Sequence, residues 1–520
     1  MHSRAGRFGL GPMFAWCGLA LWALHAVAAR GQVASAPRLV VLVVVDQMRW
    51  DYLERYRDRI HAGFARLEHG GAVFTEARYP YAKTETAQAH ALMLSGQSPS
   101  VSGIPGDAWY DRDARRSVSA GESLRHSLIG TATPGGSPEQ LLVPSLGDVM
   151  KQRDPRTLVL AASWKRYSAV LMGGLHADAA YWFDAPSGLM VTSDYYRHDY
   201  PTWVDEFNRT DPTAAFFGRQ WLTHTMGAGT APDGRFRTSL RSTPFANDVL
   251  LAFSKRMLAS SGLGQDAVPD LLAVSFSALD YAGHTYGPET PELDDTFQQM
   301  DRQLGEFLQA LDDSVGKGNW TLAMVADHGV AFLPEKVKAR GGDAGLLDAV
   351  AFRATIRKAL AEKWPDPDAL IATFMAPEIY LDYGEAARRG IDAALLEDTV
   401  AAAARSQPGV AQAYTRHQIL GAAGTPDPFL KAVANGFYPA RSGDVYVLVK
   451  PNYYFSINHG TPYEYDVHVP LIFYGRGIMP GRFDRRVLMS DLAPTLAEVA
   501  GVRLAGVPGE SLREALGTVK

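Results

Sequence analysis

Four stretches of this 520-residue chain place Asp and His side chains in pairings that suit a divalent metal ion. Asp280 and His284 are four residues apart, so on a helix or in a tight loop both can face one ion. Carboxylates and imidazoles suit Zn²⁺ without any cysteine. Each residue alone has a structural explanation, as a helix cap or a loop histidine, but together they predict a two-metal hydrolytic site. The candidate ligands are Asp46, Asp280, His284, Asp327, His328 and His459.

A fifth stretch, Lys83–Gly96, supplies a hydroxyl group. Thr86 precedes a short apolar helix that the sequence predicts over Ala87–Leu94, with Gly96 as its stop. As the N-cap of that helix, Thr86 would lie at the positive end of the helix dipole, where an anion is also favoured. A metal-bound Thr hydroxyl loses its proton far more easily than a free one, so Thr86 is a candidate nucleophile.

Apolar, β-branched runs must position these residues. Five such runs, each with polar or glycine residues close behind it, are typical of buried parallel strands. Helical patterns lie between them, the clearest over Pro291–Leu311. We therefore predict an α/β fold with a mostly parallel central sheet covered by helices, and ligands at the carboxyl ends of its strands. The runs are Arg38–Val45, Thr157–Ala162, Leu271–Phe276, Trp320–Ala326 and Val469–Tyr474, and a further strand over Asp444–Val449 precedes His459.

Two ranges interrupt this rhythm. Residues from about 107 to 245 are rich in Trp, Tyr, Gly and Pro, and residues from about 345 to 435 contain an Ala-rich helical segment, Ala386–Ala404. We expect both ranges to be insertions that form a cap subdomain over the site.

Charge and the N-terminus limit the function classes. The formal net charge of −5 argues against a general nucleic-acid binder. A basic start, an apolar stretch and Ala26–Ala28 predict a cleaved signal peptide over 1–28, with the catalytic domain over 29–520. Cys17, the one cysteine, lies in that segment, and no later run is long and apolar enough to cross a bilayer. We expect a periplasmic or secreted protein, with its oligomeric state left open.

In combination and order, these motifs resemble those of the alkaline phosphatase superfamily. The likeness is to the phosphate-irrepressible alkaline phosphatases that use a Thr nucleophile, which are related to type I phosphodiesterases and nucleotide pyrophosphatases. It covers nearly the whole chain after residue 28. The matching motifs are Val41 to Asp46, Thr86-x-x-x-His90, Trp109-Tyr110-Asp111, Ala180 to Phe183, Asp280-x-x-x-His284-x-x-Gly287-Pro288, Asp327-His328-Gly329, His459 to Tyr463 and Met489 to Leu496.

The resemblance implies an alkaline-phosphatase-like fold and two zinc ions. One zinc would be held by Asp280, His284 and His459. The other would be held by Asp46, Asp327 and His328, with Thr86 bound to it. It also implies a small phosphate ester as substrate, a phospho-Thr intermediate and release of inorganic phosphate.

The chain departs from this family at the substrate contacts. The family's monoesterases have an Asn where this chain has Asp107, and a Lys-x-Arg pair of which only Lys165 remains, because Tyr167 stands at the Arg position. Losing a bidentate Arg and adding an anion weakens the binding of a dianionic monoester. Two alternatives stay open: Arg166 reaches the phosphate, or Asp107 pairs with Lys165 and the pocket suits diesters.

The sequence therefore predicts a zinc-dependent phosphohydrolase acting on monoesters. A phosphodiesterase or nucleotide pyrophosphatase is the alternative within the same chemistry. A sulfatase is disfavoured because no Cys/Ser-x-Pro-x-Arg motif is present. A non-catalytic periplasmic binding protein on the same fold is the alternative from another class, and a broken ligand set would favour it; here all six Asp and His ligands are present.

Overall fold

A computed structural model of the chain describes residues 1–2, 6, 36–227, 229–456 and 458–517. Its largest sheet, the central sheet, has ten strands. In chain order they are β1 (Leu39–Val45), β2 (Ala72–Arg78), β3 (Val159–Ser163), β4 (Ala179–Asp184), β5 (Leu189–Val191), β6 (Asp270–Phe276), β7 (Trp320–Val325), β8 (His468–Gly475), β9 (Gly481–Phe483) and β10 (Val487–Leu488).

The central sheet is mostly parallel, as predicted. Its order is β9-β2-β8-β7-β1-β6-β3-β4-β5, and β10 also pairs with β2. The neighbours β7, β1, β6, β3 and β4 all run parallel. The run Val469–Tyr474 was expected to be parallel as well, and this is wrong: β8 lies antiparallel between β7 and β2. An apolar run indicates a buried strand but does not specify whether the strand runs parallel or antiparallel to its neighbours.

Burial explains why the central strands are apolar throughout. All seven side chains of β1 are buried, although successive side chains of a strand point to opposite faces of the sheet. Both faces of the sheet are therefore covered at β1, which is typical of α/β folds. The predicted α/β fold class, with a mostly parallel central sheet covered on both faces, is confirmed.

Four helices matter for the site, and we label them α1 (Thr86–Ser95), α2 (Arg166–Gly173), α3 (Ala278–Thr285) and α4 (Pro291–Val315). The predicted helix Pro291–Leu311 is confirmed as α4, which extends to Val315. The Thr290 side chain caps α4 by accepting the N–H of Leu293. The other α-helices are Tyr52–Arg55, Gly63–Gly70, Pro99–Ser102, Leu146–Arg153, Thr202–Arg209, Gly234–Leu240, Pro244–Ser260, Pro334–Ala339, Ala349–Ala361, Tyr383–Arg388, Ala393–Arg405, Arg416–Leu420, Pro428–Gly436, Glu464–Val467 and Leu492–Val499.

A second sheet, which we call the small sheet, has four antiparallel strands and its own apolar core. One of them, Val445–Val449, is the strand predicted over Asp444–Val449 ahead of His459; the two-residue strand Tyr453–Tyr454 follows it before His459 and also lies outside the central sheet. The expectation that all the ligand stretches follow strands of one sheet is therefore wrong for His459. The strands of the small sheet, in spatial order, are Ile371–Met375, Glu378–Leu381, Val445–Val449 and Val410–Thr415.

The segment predicted as one helix over Ala386–Ala404 forms two helices. Tyr383–Arg388 ends before Gly390, which has a φ of +68° and turns the chain. Asp392 then starts the helix Ala393–Arg405 by accepting the N–H of Leu395.

The range from 107 to 245 contains both sheet strands and irregular chain. β3, β4 and β5 of the central sheet lie inside it, whereas the remainder forms helices, loops and short hairpins. The division into cap insertions stays a prediction. The short two-stranded pairs of the described chain are Ala108–Asp111 with Arg116–Ser119, Glu122–Ser127 with Pro134–Gly136, Gln220–Trp221 with His224–Thr225, and Gly345–Leu346 with Tyr453–Tyr454.

Nearly all of the predicted signal peptide, residues 1–28, lies outside the described residues. Within the described ranges, no helix has the length and apolar character needed to cross a membrane.

Candidate active site

Neighbouring strands of the central sheet deliver most of the predicted site residues to one edge. Asp46 directly follows β1, and Asp327 comes two residues after the end of β7. Lys165 comes two residues after β3, and α3 begins two residues after β6. Because β7, β1, β6 and β3 are consecutive and parallel in the sheet, their carboxyl ends meet.

Thr86 is the first residue of α1 and not its N-cap. Glu85 is the N-cap, and its backbone N–H donates to the side chain of Gln88 over 3.2 Å. The prediction of Thr86 as the cap is therefore wrong by one residue, because Glu is not among the preferred caps and was passed over. Every side chain of α1 is buried. The Thr86 hydroxyl lies 3.4 Å from Nε2 of His328.

Asp280, His284 and His459 form one cluster of ligand atoms. In α3, Nε2 of His284 lies 3.0 Å from Oδ1 of Asp280, one helical turn away. Nε2 of His459 lies 3.2 Å from Nε2 of His284 and 4.0 Å from the same Asp280 oxygen. Two imidazole nitrogens bound to one tetrahedral zinc are roughly 3.3 Å apart, so this spacing fits a shared ion.

Asp46, Asp327 and His328 form a second cluster around Thr86. Nε2 of His328 lies 3.7 Å from Oδ1 of Asp46 and 3.7 Å from Oδ2 of Asp327. Both carboxylate oxygens are fully buried, and neither accepts a hydrogen bond from the residues that the structure describes. A buried, unpaired carboxylate oxygen is costly, so this donor set fits a bound cation. Asp280 also approaches Asp46 and His328, which places its carboxylate between the two clusters.

Backbone carbonyls orient two of the imidazoles. Nδ1 of His459 lies 2.9 Å from the carbonyl oxygen of Thr84, and Nδ1 of His328 lies 3.0 Å from that of Gly329. Because a carbonyl only accepts, each Nδ1 carries the proton and each Nε2 presents its lone pair to the clusters. Burial lowers the pKa of His459 well below its ordinary value, helped by His328 and His284. A neutral imidazole is the form that binds a metal.

Lys165 is the buried cation of the site. Its Nζ lies 2.6 Å from Oδ2 of Asp280, 2.7 Å from Oδ2 of Asp46 and 3.1 Å from the Thr86 hydroxyl. Burial opposes ionisation of Asp280, but His284 and Lys165 outweigh it and hold the pKa of Asp280 well below its ordinary value. Burial raises the pKa of Asp46 well above its ordinary value, and the neighbouring carboxylates add to this. Two buried carboxylates thus share one ammonium, and the buried carboxylate of Asp327 lies in the same site, an arrangement that attracts further cations.

The structure does not form the predicted alternative pair between Asp107 and Lys165. Oδ1 of Asp107 accepts the backbone N–H of Ala87 over 2.7 Å, and Oδ2 accepts the Tyr167 hydroxyl over 3.3 Å. Asp107 therefore lies at the N-terminus of α1, where the helix dipole favours a negative charge. Lys165 has its ion pairs with Asp46 and Asp280 instead.

Arg166 faces away from this cluster. It is the first residue of α2, and its aliphatic part lies against Gly136. Burial lowers the pKa of its guanidinium, and the carboxylate of Glu122 opposes this. The side chain thus packs on the hairpin Glu122–Gly136. This placement does not support the alternative in which Arg166 reaches the phosphate.

Gln47 is a site residue that the sequence reasoning missed. Its φ of +62° is in the left-handed region, which is uncommon for a residue other than glycine. Its backbone N–H donates to Oδ1 of Asp327 over 3.0 Å, and its side-chain amide donates to Oδ1 of Asp280 over 2.6 Å. Gly283 leaves room for this side chain, because a Cβ there would overlap the Gln47 oxygen. The signal in the sequence was its position directly after Asp46.

Asp466 is the second missed residue, and it joins two ligand loops. Its Oδ2 accepts the backbone N–H of Thr461 over 2.9 Å and the Thr461 hydroxyl. Its backbone carbonyl accepts the N–H of Gly329 over 2.8 Å. Burial raises the pKa of Asp466 to about 8. The loop that carries His459 is thereby fixed to the loop that carries His328.

A buried ion pair links the small sheet to the start of α1. Nζ of Lys83 lies 3.1 Å from Oε2 of Glu378 and 3.7 Å from Oε1 of Glu85. Glu378 begins a strand of the small sheet, and Glu85 caps α1 and accepts the N–H of Asp107 over 2.9 Å. Glu85, the residue before Thr86, therefore contacts a cation that Glu378 of the small sheet also neutralises.

Comparison with known families agrees with this geometry. The family model of type I phosphodiesterase / nucleotide pyrophosphatase matches residues 40–469. The chain belongs to this family. The family membership and the relatives below confirm the predicted phosphoric ester hydrolase, and they do not favour the non-catalytic alternative. The identities of the ligands and of the nucleophile stay predictions.

Full-length relatives are similar to this member of the family at moderate identity. A protein named calcium-transporting ATPase from Myroides odoratus is 31% identical, over 92% of this chain and 95% of its own length. The alkaline phosphatase PhoV of Synechococcus elongatus is 30% identical, over 91% of each chain. The crystal structure of the alkaline phosphatase PafA superposes with a TM-score of 0.87 at 28% identity, covering 94% of this chain and 100% of that one.

Proposed function

We propose that this protein hydrolyses phosphate monoesters through a covalent phospho-Thr86 intermediate at a two-zinc centre. The observation that carries the proposal is the place of the Thr86 hydroxyl, at the start of a buried helix, 3.1 Å from the Lys165 ammonium and 3.4 Å from His328. The alkaline phosphatases among the relatives support the choice of monoesters.

Each of the two clusters would hold one metal ion. Asp280, His284 and His459 would hold the ion on the side of the leaving group. The second ion would lie beside the nucleophile. Such ions, when bound, lower the pKa of the Thr hydroxyl and stabilise charge on the entering and leaving oxygens. The ligands proposed for the second ion are Asp46, Asp327, His328 and Thr86.

The chain's own residues supply the rest of the reaction. Thr86 Oγ1 gives up its proton to solvent and attacks phosphorus; the ester P–O bond breaks, and the leaving oxygen takes up a proton from water and departs as the alcohol. Water then attacks phosphorus, breaks the bond to Thr86 and releases inorganic phosphate. The Lys165 ammonium, held by two carboxylates, is placed to balance charge on the transferred phosphoryl group. The amino end of α1 favours the same anion.

Phosphodiester hydrolysis is the second candidate, and Asp107 favours it. Its carboxylate accepts a hydrogen bond from the N–H of Ala87 at the amino end of α1 and brings a negative charge close to the proposed nucleophile. A diester carries one negative charge fewer than a monoester dianion, so this carboxylate repels it less.

One comparison separates the two candidates. We would measure kcat/KM for an aryl phosphate monoester and the matching diester, with zinc-loaded protein at alkaline pH. A strong monoester preference is the expected result. A diester preference would transfer the assignment to the second candidate, and failure on both substrates would contradict both.

The nucleophile has its own test. Thr86→Ala should abolish turnover and retain most of the bound zinc, since six Asp and His ligands remain. Thr355→Ala, which removes an exposed helical hydroxyl that donates to Ala351, is the matched control and should be fully active. Full activity of Thr86→Ala would remove Thr86 from its role.

We also propose that the protein works in the periplasm or outside the cell, on the basis of the residue pattern over 1–28. N-terminal sequencing of protein recovered from the periplasmic fraction should begin after residue 28, whereas a retained Met1 would contradict export by a cleaved signal.

A further inference from the structure

An open cavity of about 820 Å³ lies beside the C-terminal end of α3. Thr285 and Tyr286, which directly follow His284, form one wall, and residues 233–242 contribute much of the remaining wall. The cavity therefore begins one residue from a proposed metal ligand. His284 belongs to the cluster proposed for the metal ion on the leaving-group side, so this wall of the cavity is continuous in the chain with that cluster.

Two arginines make this cavity positive. Arg235 and Arg241 line it, both are exposed, and neither has a carboxylate partner in the part of the chain that the structure describes. The carboxylate of Asp233 also lines the cavity, but it accepts the N–H of Phe236 as a helix cap. The charged groups of the lining therefore sum to one positive charge. By contrast, Arg237 of the same helix, outside the lining, pairs with Asp211 at 3.6 Å.

Tyr281 connects the cavity to the site. The Arg241 guanidinium lies 4.8 Å from the centroid of the Tyr281 ring, and Nζ of Lys165 lies 5.1 Å from the same centroid. The two cations are therefore at most about 10 Å apart. Attraction to the ring face favours a position of Arg241 near the site over one extended into water.

We propose that Arg241, with Arg235 beside it, binds a second anionic group carried by the leaving group of the substrate. The preferred substrates are then phosphate monoesters of small molecules that bear a carboxylate or another phosphate within about 10 Å of the reacting phosphorus. This inference rests on the proposed monoesterase function and adds a substrate class to it. One Lys165-bound phosphoryl group and one Arg241-bound anion would fix both ends of such a molecule.

Matched aryl phosphates test the subsite. We would measure kcat/KM for phenyl phosphate, 3-carboxyphenyl phosphate and 1,3-phenylene bisphosphate at one fixed, low ionic strength, because salt screens exposed charges. The variant is Arg241→Gln. The control is Arg219→Gln, because Arg219 also lies over an aromatic ring, 4.9 Å from that of Phe245, yet is not part of the cavity lining.

We expect Arg241→Gln to lower the rate ratio of an anionic substrate to phenyl phosphate by about fivefold, the size of one exposed charge pair. Arg219→Gln should leave this ratio within about twofold of the wild-type value. A lower ratio for 3-carboxyphenyl phosphate or for 1,3-phenylene bisphosphate in Arg241→Gln supports the proposal, and the substrate that is affected identifies the anion bound. Ratios unchanged in Arg241→Gln, or lowered equally in Arg219→Gln, would overturn it. Turnover of phenyl phosphate by the wild type tests the monoesterase function separately.

Discussion

Replacing Asp107 with Asn should shift the enzyme toward monoesters. The change removes one negative charge. Oδ1 of the Asn side chain should still accept the N–H of Ala87, which lies 2.7 Å from Oδ1 of Asp107 in the wild type. The Asn amide also adds a donor at the amino end of α1. Since the folded backbone is kept, the effect should appear in substrate preference more than in stability.

The size of the shift follows from the position of Asp107. Its Oδ1 contacts the nitrogen of the residue after Thr86, so a phosphorus atom bound to the Thr86 hydroxyl would lie about 7 Å from the carboxylate. At an effective dielectric constant of about 20, two unit charges at that distance repel by about 2.4 kcal/mol. A monoester dianion carries one more negative charge than a diester. The ratio of monoester to diester kcat/KM should therefore rise by about 50-fold at most, and by about eightfold if the effective dielectric constant is twice as large.

The assay is the monoester and diester comparison on zinc-loaded wild type and variant. Asp111→Asn is the matched control, because Asp111 accepts two backbone N–H groups in a turn of the same region and its change removes the same charge farther along the chain. A ratio that stays constant in Asp107→Asn, or one that falls, would refute the assignment of Asp107 as an electrostatic selector. A rise of equal size in Asp111→Asn would attribute the effect to net charge alone.

Three further outcomes follow from the site. Gly329→Ala should lower the free energy of unfolding by several kcal/mol, because a Cβ there overlaps the carbonyl of Tyr465. A smaller loss in urea unfolding would contradict this packing. As the pH rises from 5 to 9, the free energy of unfolding of Asp466→Asn should increase by about 4 kcal/mol relative to that of the wild type, as measured by urea unfolding of metal-free protein. The folded pKa of about 8 exceeds the unfolded value near 3.8, so stability present at low pH is lost as pH rises through 8; a constant difference would contradict that pKa. Chelation should abolish turnover and lower Tm, and zinc should restore both; a Tm insensitive to chelation would argue against structural metal binding.

The sequence was sufficient for the positions of five strands of the central sheet and of one strand of the small sheet, and for the residues that follow them. The run that ends at Val45 is apolar at every position because β1 is buried on both faces, and Asp46 marks its carboxyl end. The pair Asp280 and His284 was found because a four-residue spacing corresponds to one helical turn. Such local patterns need no knowledge of distant partners.

Long-range partners could not be predicted in the same way. His459 follows a strand of the small sheet, and the apolar pattern of Val445–Val449 is the same whichever sheet it joins. Gln47 and Asp466 have no motif, since their importance comes from contacts with residues far away in the chain. The direction of Arg166 depends on the hairpin packed against it, which no spacing rule describes.

The ion pair between Lys83 and Glu378 has a consequence for engineering. Trimming the chain to a minimal catalyst by excising the small sheet would remove Glu378 and leave the buried Lys83 ammonium with the carboxylate of Glu85, two residues further on, which caps α1. A shortened design would therefore need Lys83→Met together with the excision. The small sheet is in this respect structurally coupled to the start of α1, so replacing it with that of a related enzyme should change the surroundings of Thr86, the proposed nucleophile, as well as the surface.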